Sequence, residues 1–390
     1  MIQTQAFKTK TILQPRQNPQ AQKYWGIAID MGYSSVKVFA PNIIASFPSY
    51  ARQVPYGTAD HPIGGLEKTS IAYRDEDGKE WFVGAVAQDT TVAGDADNST
   101  ATMYVRNRYY SPEFKTITRV GLALGMMKNQ FGDPSGKILH VQTGLPPEYM
   151  ETDKSDLQSS LEGKHTFSIK LGANDWINFS FELNRENIDV MPQPMGTLAS
   201  ISTDRNGGPL PEAKKYMSSN LLVVDPGFGT LDTFCIESHY PSSAKTWNNL
   251  GMLRVMQEAI LIIKDKYNTV YTVPSMQKLL GDGYFKQRID VRKTKKIDGD
   301  EFASIINEAN KKVCMEALKT IDGFYNYLQN QDYLVITGGT GAAWFNYIKE
   351  YYKDLETLTI IDGASNDNLP SIFSNVRGYY MQQLNNLKKK

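Results

Sequence analysis

The chain has 390 residues, 41% of them hydrophobic and 11% aromatic, with 42 Lys plus Arg balanced by 42 Asp plus Glu. That length exceeds one ordinary core and points to two domains, while the even charge balance excludes a global basic field that would recruit nucleic acid by counterion release. Two cysteines, Cys235 and Cys314, exclude a disulfide framework and suit a reducing compartment, and four histidines without ligand spacing exclude a histidine-based metal centre.

Residues 1–23 are rich in Gln, Lys, Thr and Pro and have no apolar segment, so they read as a flexible arm without a signal sequence. No later run approaches the ~20 apolar residues of a membrane span, so the protein is expected in the cytoplasm, off the membrane. The segment GIAIDMGYSSVKV, 26–38, runs from an apolar strand into an Asp-x-Gly turn and out along a second strand. Residues 66–84 alternate apolar and polar around a turn at 76–78 and predict another hairpin, ending in WFVG.

The stretch MYVRNRYYSPEF, 103–114, combines Arg106 and Arg108 with Tyr109 and Tyr110. That is the composition of an interface hot spot, and equally of a loop packed under the first helix. The helix follows over 112–129, with Ser111 as its cap and Pro112 in its first turn. A buried strand is predicted over 137–146, a helix over 151–161, and two or three strands over 164–190. A helix from 191–201 then crosses into the second domain.

That domain opens on LLVVDPGFGTLDTFCI, 221–236, a second strand, Asp-x-Gly turn and strand. Helices are predicted at about 250–267, 274–281 and 301–329, with a strand-helix unit over 333–353 that passes through Gly-Gly-Thr-Gly. A last helix, 374–387, returns to the first domain. The run VRKTKK, 291–296, and the terminal Lys388, Lys389 and Lys390 read as solvated charge.

A single Asp-x-Gly turn is explained by tight-turn chemistry alone. Three glycine-rich turns, each leaving a strand, point to one nucleotide site. Gly32, Gly227 and Gly229 would let backbone N–H groups approach phosphate oxygens, and Ser34, Ser35 and Thr230 would add hydroxyl donors. Asp30 and Asp225 would hold magnesium directly or through its waters. Gly338, Gly339 and Gly341 would admit a ligand close to backbone at a helix N-terminus.

The order of these turns resembles the actin, sugar-kinase and heat-shock-chaperone ATPase superfamily, and within it the bacterial actins of the ParM type. Three finer features carry that likeness: Lys37 seven positions after Asp30, FPSYARQV over 47–54, and IFSNVRGYYMQQL over 372–384. The resemblance covers residues 24–386. It implies an α/β, actin-like fold of two related domains with ribonuclease-H-like cores around a nucleotide cleft. Domain I would be 24–193 plus 366–390, and domain II 194–365.

The same likeness places Tyr33 and Lys37 on the first phosphate turn, Phe228 on the second, and Thr340 on the third. It puts the base and ribose near Gly251, Arg254 and Lys311. At Met191-Pro192-Gln193 the ParM type usually carries a glutamate that positions the attacking water, whereas actin uses a glutamine from the equivalent crossover. Gln193 departs toward the actin pattern, and a glutamine orients water by donating one hydrogen bond and accepting another. Gln193 and Asp225 are thus the implied catalytic pair.

The resemblance implies a polymerising ATPase that uses ATP, with GTP as the alternative, and Mg2+. Its partners would be itself, as a filament, and a DNA-binding adaptor of the ParR type, with DNA engaged only indirectly. A sugar or small-metabolite kinase of the superfamily would need a catalytic Asp or Glu base, against which Gln193 speaks. A non-polymerising relative of chaperone or cell-division type would need an appended substrate domain or an amphipathic anchor.

Overall fold

A computed structural model describes residues 2–61, 67–90, 106–290 and 292–389. The chain divides into a larger unit, Lys10–Leu210 with Asn366–Leu369 and Phe373–Lys390, and a smaller one, Met1–Thr9 with Pro211–Ser365 and Pro370–Ile372.

The strands of the larger unit are β1 (Ile12–Pro15), β2 (Tyr24–Met31), β3 (Ser35–Ala40), β4 (Ile43–Pro48), β5 (Ala51–Val54), β6 (Ile71–Arg74), β7 (Glu80–Val83), β8 (Ile138–Leu145), β9 (Gly163–Leu171), β10 (Ile177–Leu183) and β11 (Ile188–Pro192). One sheet runs β1-β4-β3-β2-β8-β11 and the other β10-β9-β6-β7-β5. The first sheet is antiparallel through β4, β3 and β2 and parallel through β8 and β11. β2 is buried from Trp25 to Met31, as its nearly unbroken apolar run requires of a central strand. Helix Pro112–Met126 packs on that sheet, with the Ser111 hydroxyl accepting from the Phe114 N–H at 3.1 Å.

The smaller unit has β12 (Leu221–Pro226), β13 (Thr230–Glu237), β14 (Tyr240–Asn248), β15 (Phe285–Asp290), β16 (Lys293–Ile297), β17 (Tyr333–Ile336) and β18 (Thr359–Asp362). Its main sheet runs β14-β13-β12-β17-β18, and β15 and β16 form a separate two-stranded ribbon. The two central sheets repeat one plan: three antiparallel strands joined by hairpins, then two parallel strands. That plan is the ribonuclease-H-like core expected twice over. In both, the Asp-x-Gly turn joins the central strand to its antiparallel neighbour, β2 to β3 and β12 to β13.

Several expectations need correction. The first 23 residues are not a loose arm: Phe7 is buried, the Ile2 N–H donates to Asn307 Oδ1 at 3.1 Å, and β1 pairs with β4 from Ile12↔Ser46 to Pro15↔Ile43. Main-chain pairing stabilises this segment despite its polar composition. The unit boundary falls at Leu210/Pro211 rather than at 193, and residues 1–9 group with the smaller unit.

The cause of that shift is the contact between helix Gln193–Ile201 and the closing helix Ser374–Leu387. A Cβ on Gly378 would lie 1.6 Å from the Gly196 carbonyl oxygen, so two glycines let the helices touch backbone to backbone. The helix expected over 301–329 ends at Phe324, because Asn326, Tyr327 and Leu328 take left-handed φ of 48°, 56° and 55°, which turns Leu328 into the core. The polar strand β14, the ribbon and β18 had no apolar alternation to announce them.

Candidate functional site

In the larger unit three expected residues converge at the carboxyl ends of β2 and β11. Asp30 faces Lys37 directly across the β2–β3 ladder, and the Lys37 Nζ donates to Asp30 Oδ2 at 3.1 Å. Gln193 opens the helix that leaves β11, and its Nε2 donates to Asp30 Oδ1 at 3.4 Å across 163 positions of sequence. The Lys37 ammonium lies over the turn, 2.7 Å from where a Gly32 Cβ would stand, so any side chain there would displace it.

The turn is braced from behind. Ser49 Oγ donates to the Gly32 carbonyl at 2.7 Å, and the Ser49 N–H donates to the Ser34 carbonyl at 2.9 Å. Arg108 donates to the Gly32 carbonyl at 3.4 Å and to the Met31 carbonyl, with its guanidinium 4.2 Å from the Tyr33 ring centre. Burial pushes the Arg108 guanidinium below its ordinary value, with Tyr33, Tyr109 and Asp30 opposing the shift. Among the described residues no protein acceptor meets the N–H groups of Gly32, Tyr33 or Ser34. Tyr33 and Ser34 are half-buried and Ser35 is buried.

Of the aromatic and basic stretch, Arg108–Tyr110 form a short 3-10 helix before helix Pro112–Met126, and 103–105 lie outside the described residues. Arg106 and Tyr109 both bond Asp153, Arg108 and Tyr109 are buried, and exposed Tyr110 donates to Asp156 at 2.8 Å.

The smaller unit carries the matching hairpin. Asp225 stands opposite Asp232 in the β12–β13 register, where the first hairpin sets Asp30 against Lys37. Both carboxylates are buried, and Asp232 is held by hydroxyl donors from Thr230 at 2.8 Å and Thr246 at 2.7 Å. The Thr230 hydroxyl expected on a phosphate is therefore spent on Asp232. The carbonyls of Gly227 and Phe228 accept from the N–H groups of Met252 and Leu253, and Thr340 Oγ1 donates to Gly227 at 2.8 Å. Gly229 is likewise braced, by the Asn249 N–H at 3.0 Å.

Gly251 does mark a close approach, but to this turn: a Cβ there would stand 2.6 Å from the Gly227 and Phe228 oxygens. Gly338 begins helix Gly338–Tyr351 with φ +76°, and its Cβ position is 2.7 Å from Asp225 Oδ1. A side chain at 338 would be both strained and in the way of that carboxylate. Gly339 and Gly341 pack on Ile372 and on Ile336 with Pro226. Arg254 pairs with buried Glu258 at 3.4 Å, and that glutamate's second cation is Lys312 at 2.5 Å. Lys311 is exposed.

Arg108, Ser49, Asp232 and Thr246 are the residues that sequence reasoning missed. Asp232 had a signal, the same seven-residue spacing from its turn aspartate as Lys37. Arg108 had none, because it bonds backbone carbonyls 76 and 77 positions away. His140 and His165 are buried structural residues: Gln383 Nε2 donates to the His140 carbonyl, and the His165 ring bonds the Leu161 carbonyl. Among the described residues no cluster of three or more His, Cys, Asp or Glu is arranged to hold a metal. The carboxylates available suit magnesium, which binds through one or two of them and keeps water and phosphate as its other ligands. No described helix is long and apolar enough to cross a membrane.

The family profile of the N-terminal domain of actin-like proteins matches residues 28–196. Among solved structures, a non-polymerisable quadruple mutant of pCBH ParM superposes with a TM-score of 0.69 at 21% identity, over 94% of this chain and 100% of that one. A 15-stranded ParM filament from Clostridium botulinum gives a TM-score of 0.68 at 21% identity, over 93% and 100%. An archaeal actin homolog in complex with ADP gives 0.59 at 15% identity, over 92% and 99%. No curated protein matches the chain by sequence. The chain has an actin-like fold, and residues 28–196 are similar to the N-terminal domain of actin-like proteins.

Proposed function

We propose that this chain is a ParM-type ATPase that polymerises with bound ATP and magnesium, and whose filaments move DNA copies through a DNA-binding adaptor. One observation carries the ATPase reading: Gln193 and Lys37 both donate to Asp30, beside a turn whose N–H groups have no acceptor among the described residues. The likeness to a ParM filament and to an actin homolog with ADP supports assembly and nucleotide use.

Donation from Gln193 Nε2 to Asp30 fixes the amide and leaves Oε1 free to accept from a water. A carboxamide does not abstract a proton, so its work is orientation. Lys37 supplies a point charge over the turn, and the Gly32–Ser34 amides supply donors for phosphate oxygens. Asp225, with Asp30 as its counterpart, would hold magnesium, which when bound neutralises charge on the phosphates.

Phosphate release and sedimentation, measured with ATP, GTP and a non-hydrolysable ATP analogue in magnesium, test the proposal. The wild type should pellet above a critical concentration, and Gln193→Ala should hydrolyse about a hundredfold more slowly and form longer-lived filaments. A protein that stays monomeric across concentration and salt and phosphorylates a sugar would replace this reading with the kinase one.

A further inference from the structure

The sequence FKQRIDVRKTKKI, 285–297, packs six cations against one carboxylate within a chain of net charge zero. The structure folds it into the β15–β16 ribbon. Lys286 lies directly opposite Lys296, and Gln287 opposite Lys295. Like charges facing each other across a ladder destabilise it, so this pairing works against the ribbon's own stability.

The ribbon persists because its base is anchored. Phe285 and Ile297 are buried, and Phe285 meets Tyr267 and Phe302 edge-on at 5.1 and 5.4 Å. The Tyr271 hydroxyl accepts from the Lys286 N–H at 3.1 Å and donates to the Lys286 carbonyl at 2.7 Å.

The cations at 286, 288, 292, 293, 295 and 296 are all exposed, and among the described residues none has a carboxylate partner. Some surface cations elsewhere are paired, as in Lys115–Glu76, Lys128–Asp133 and Arg185–Glu162. Lys296 is steered as well, its ammonium 4.0 Å from the Tyr284 ring centre.

We propose that this ribbon docks on the phosphate backbone of duplex DNA. A two-stranded ribbon matches the width of the major groove. Lys286, Arg288 and Lys296 share one face by register, opposite the face on which Phe285 and Ile297 are buried, so three cations lie together on the side turned away from the core. The ribbon's one amide side chain, Gln287, is spent on the Tyr267 carbonyl at 3.3 Å, so no amide is left to read adenine and the proposed contact is to phosphate. This inference does not depend on ATP hydrolysis.

The test is fluorescence anisotropy of a labelled duplex of arbitrary sequence with the nucleotide-free wild-type protein. Binding should weaken with salt, with a slope of about 3–4 in log Kd against log salt. The fourfold variant Lys286→Gln, Arg288→Gln, Lys295→Gln, Lys296→Gln should lose at least about tenfold in affinity and most of that slope, while its phosphate release stays at the wild-type rate. Lys286→Gln alone, which relieves the facing pair and keeps Lys296 on Tyr284, should raise the melting temperature while lowering affinity, opposite signs that separate binding from folding.

No anisotropy change at low salt, or a fourfold variant that binds like the wild type, would overturn the proposal. Competition by polyglutamate as effective as by unlabelled duplex would also overturn it, in favour of an acidic protein surface.

Discussion

Arg108 shows how one side chain can set the chemistry of a turn it does not belong to. In a trans peptide the C=O and the following N–H point in opposite directions. Holding the carbonyls of Met31 and Gly32 therefore aims the amides of Gly32 and Tyr33 the other way, toward the ligand side under the proposed reading. Arg108→Ala should lower ATP affinity at least about tenfold, roughly 1.4 kcal/mol, and Arg108→Lys should recover only part, since an ammonium cannot span both carbonyls in the fork geometry. Titration calorimetry with ATP decides; equal affinity in all three proteins would reduce Arg108 to a packing residue. The pairing of Asp30 with Lys37 was legible because a seven-residue spacing across a hairpin is a register statement. The ion pairing around Arg254 and Lys311 was not legible, because a cation's partner is set by helix packing: Glu258 takes Arg254 and the neighbouring Lys312.

Among the elements, the closing helix was the most legible and its contact the least. Its apolar period predicted 374–387, and the structure has Ser374–Leu387 with Val376, Tyr379, Tyr380 and Leu384 buried. Nothing in that period says that Gly378 must meet Gly196, because a small residue reads as a gap in the pattern until its partner is known. Gly378→Ala should cost about 3 kcal/mol or more, since backbone cannot retreat from a Cβ placed 1.6 Å from a carbonyl oxygen. Gly323→Ala, in helix Gly299–Phe324 with nothing within 4 Å of its Cβ position, should be neutral or stabilise by up to about 1 kcal/mol. Denaturant unfolding of the two variants measures the contrast; similar costs would mean that the helix crossing is looser than described.

For the whole molecule, the N-terminal residues matter more than their composition suggested. Deleting 1–15 removes β1, buried Phe7 and the Ile2–Asn307 bond, and should lower the melting temperature by about 5 °C or more. An unchanged melting temperature in calorimetry would restore the flexible-arm reading. Composition alone could not foresee this, because edge pairing uses main-chain groups that every residue carries. The larger unit is also discontinuous, taking its closing helix from residues 374–387. During synthesis Lys10–Leu210 is made before most of the smaller unit, yet the larger unit is completed last, after the smaller unit's Pro370–Ile372 has been added. The glycine face of helix Gln193–Ile201 and the β2 sheet must wait uncovered through the intervening translation, the interval in which a half-made chain is most open to aggregation and to chaperone capture.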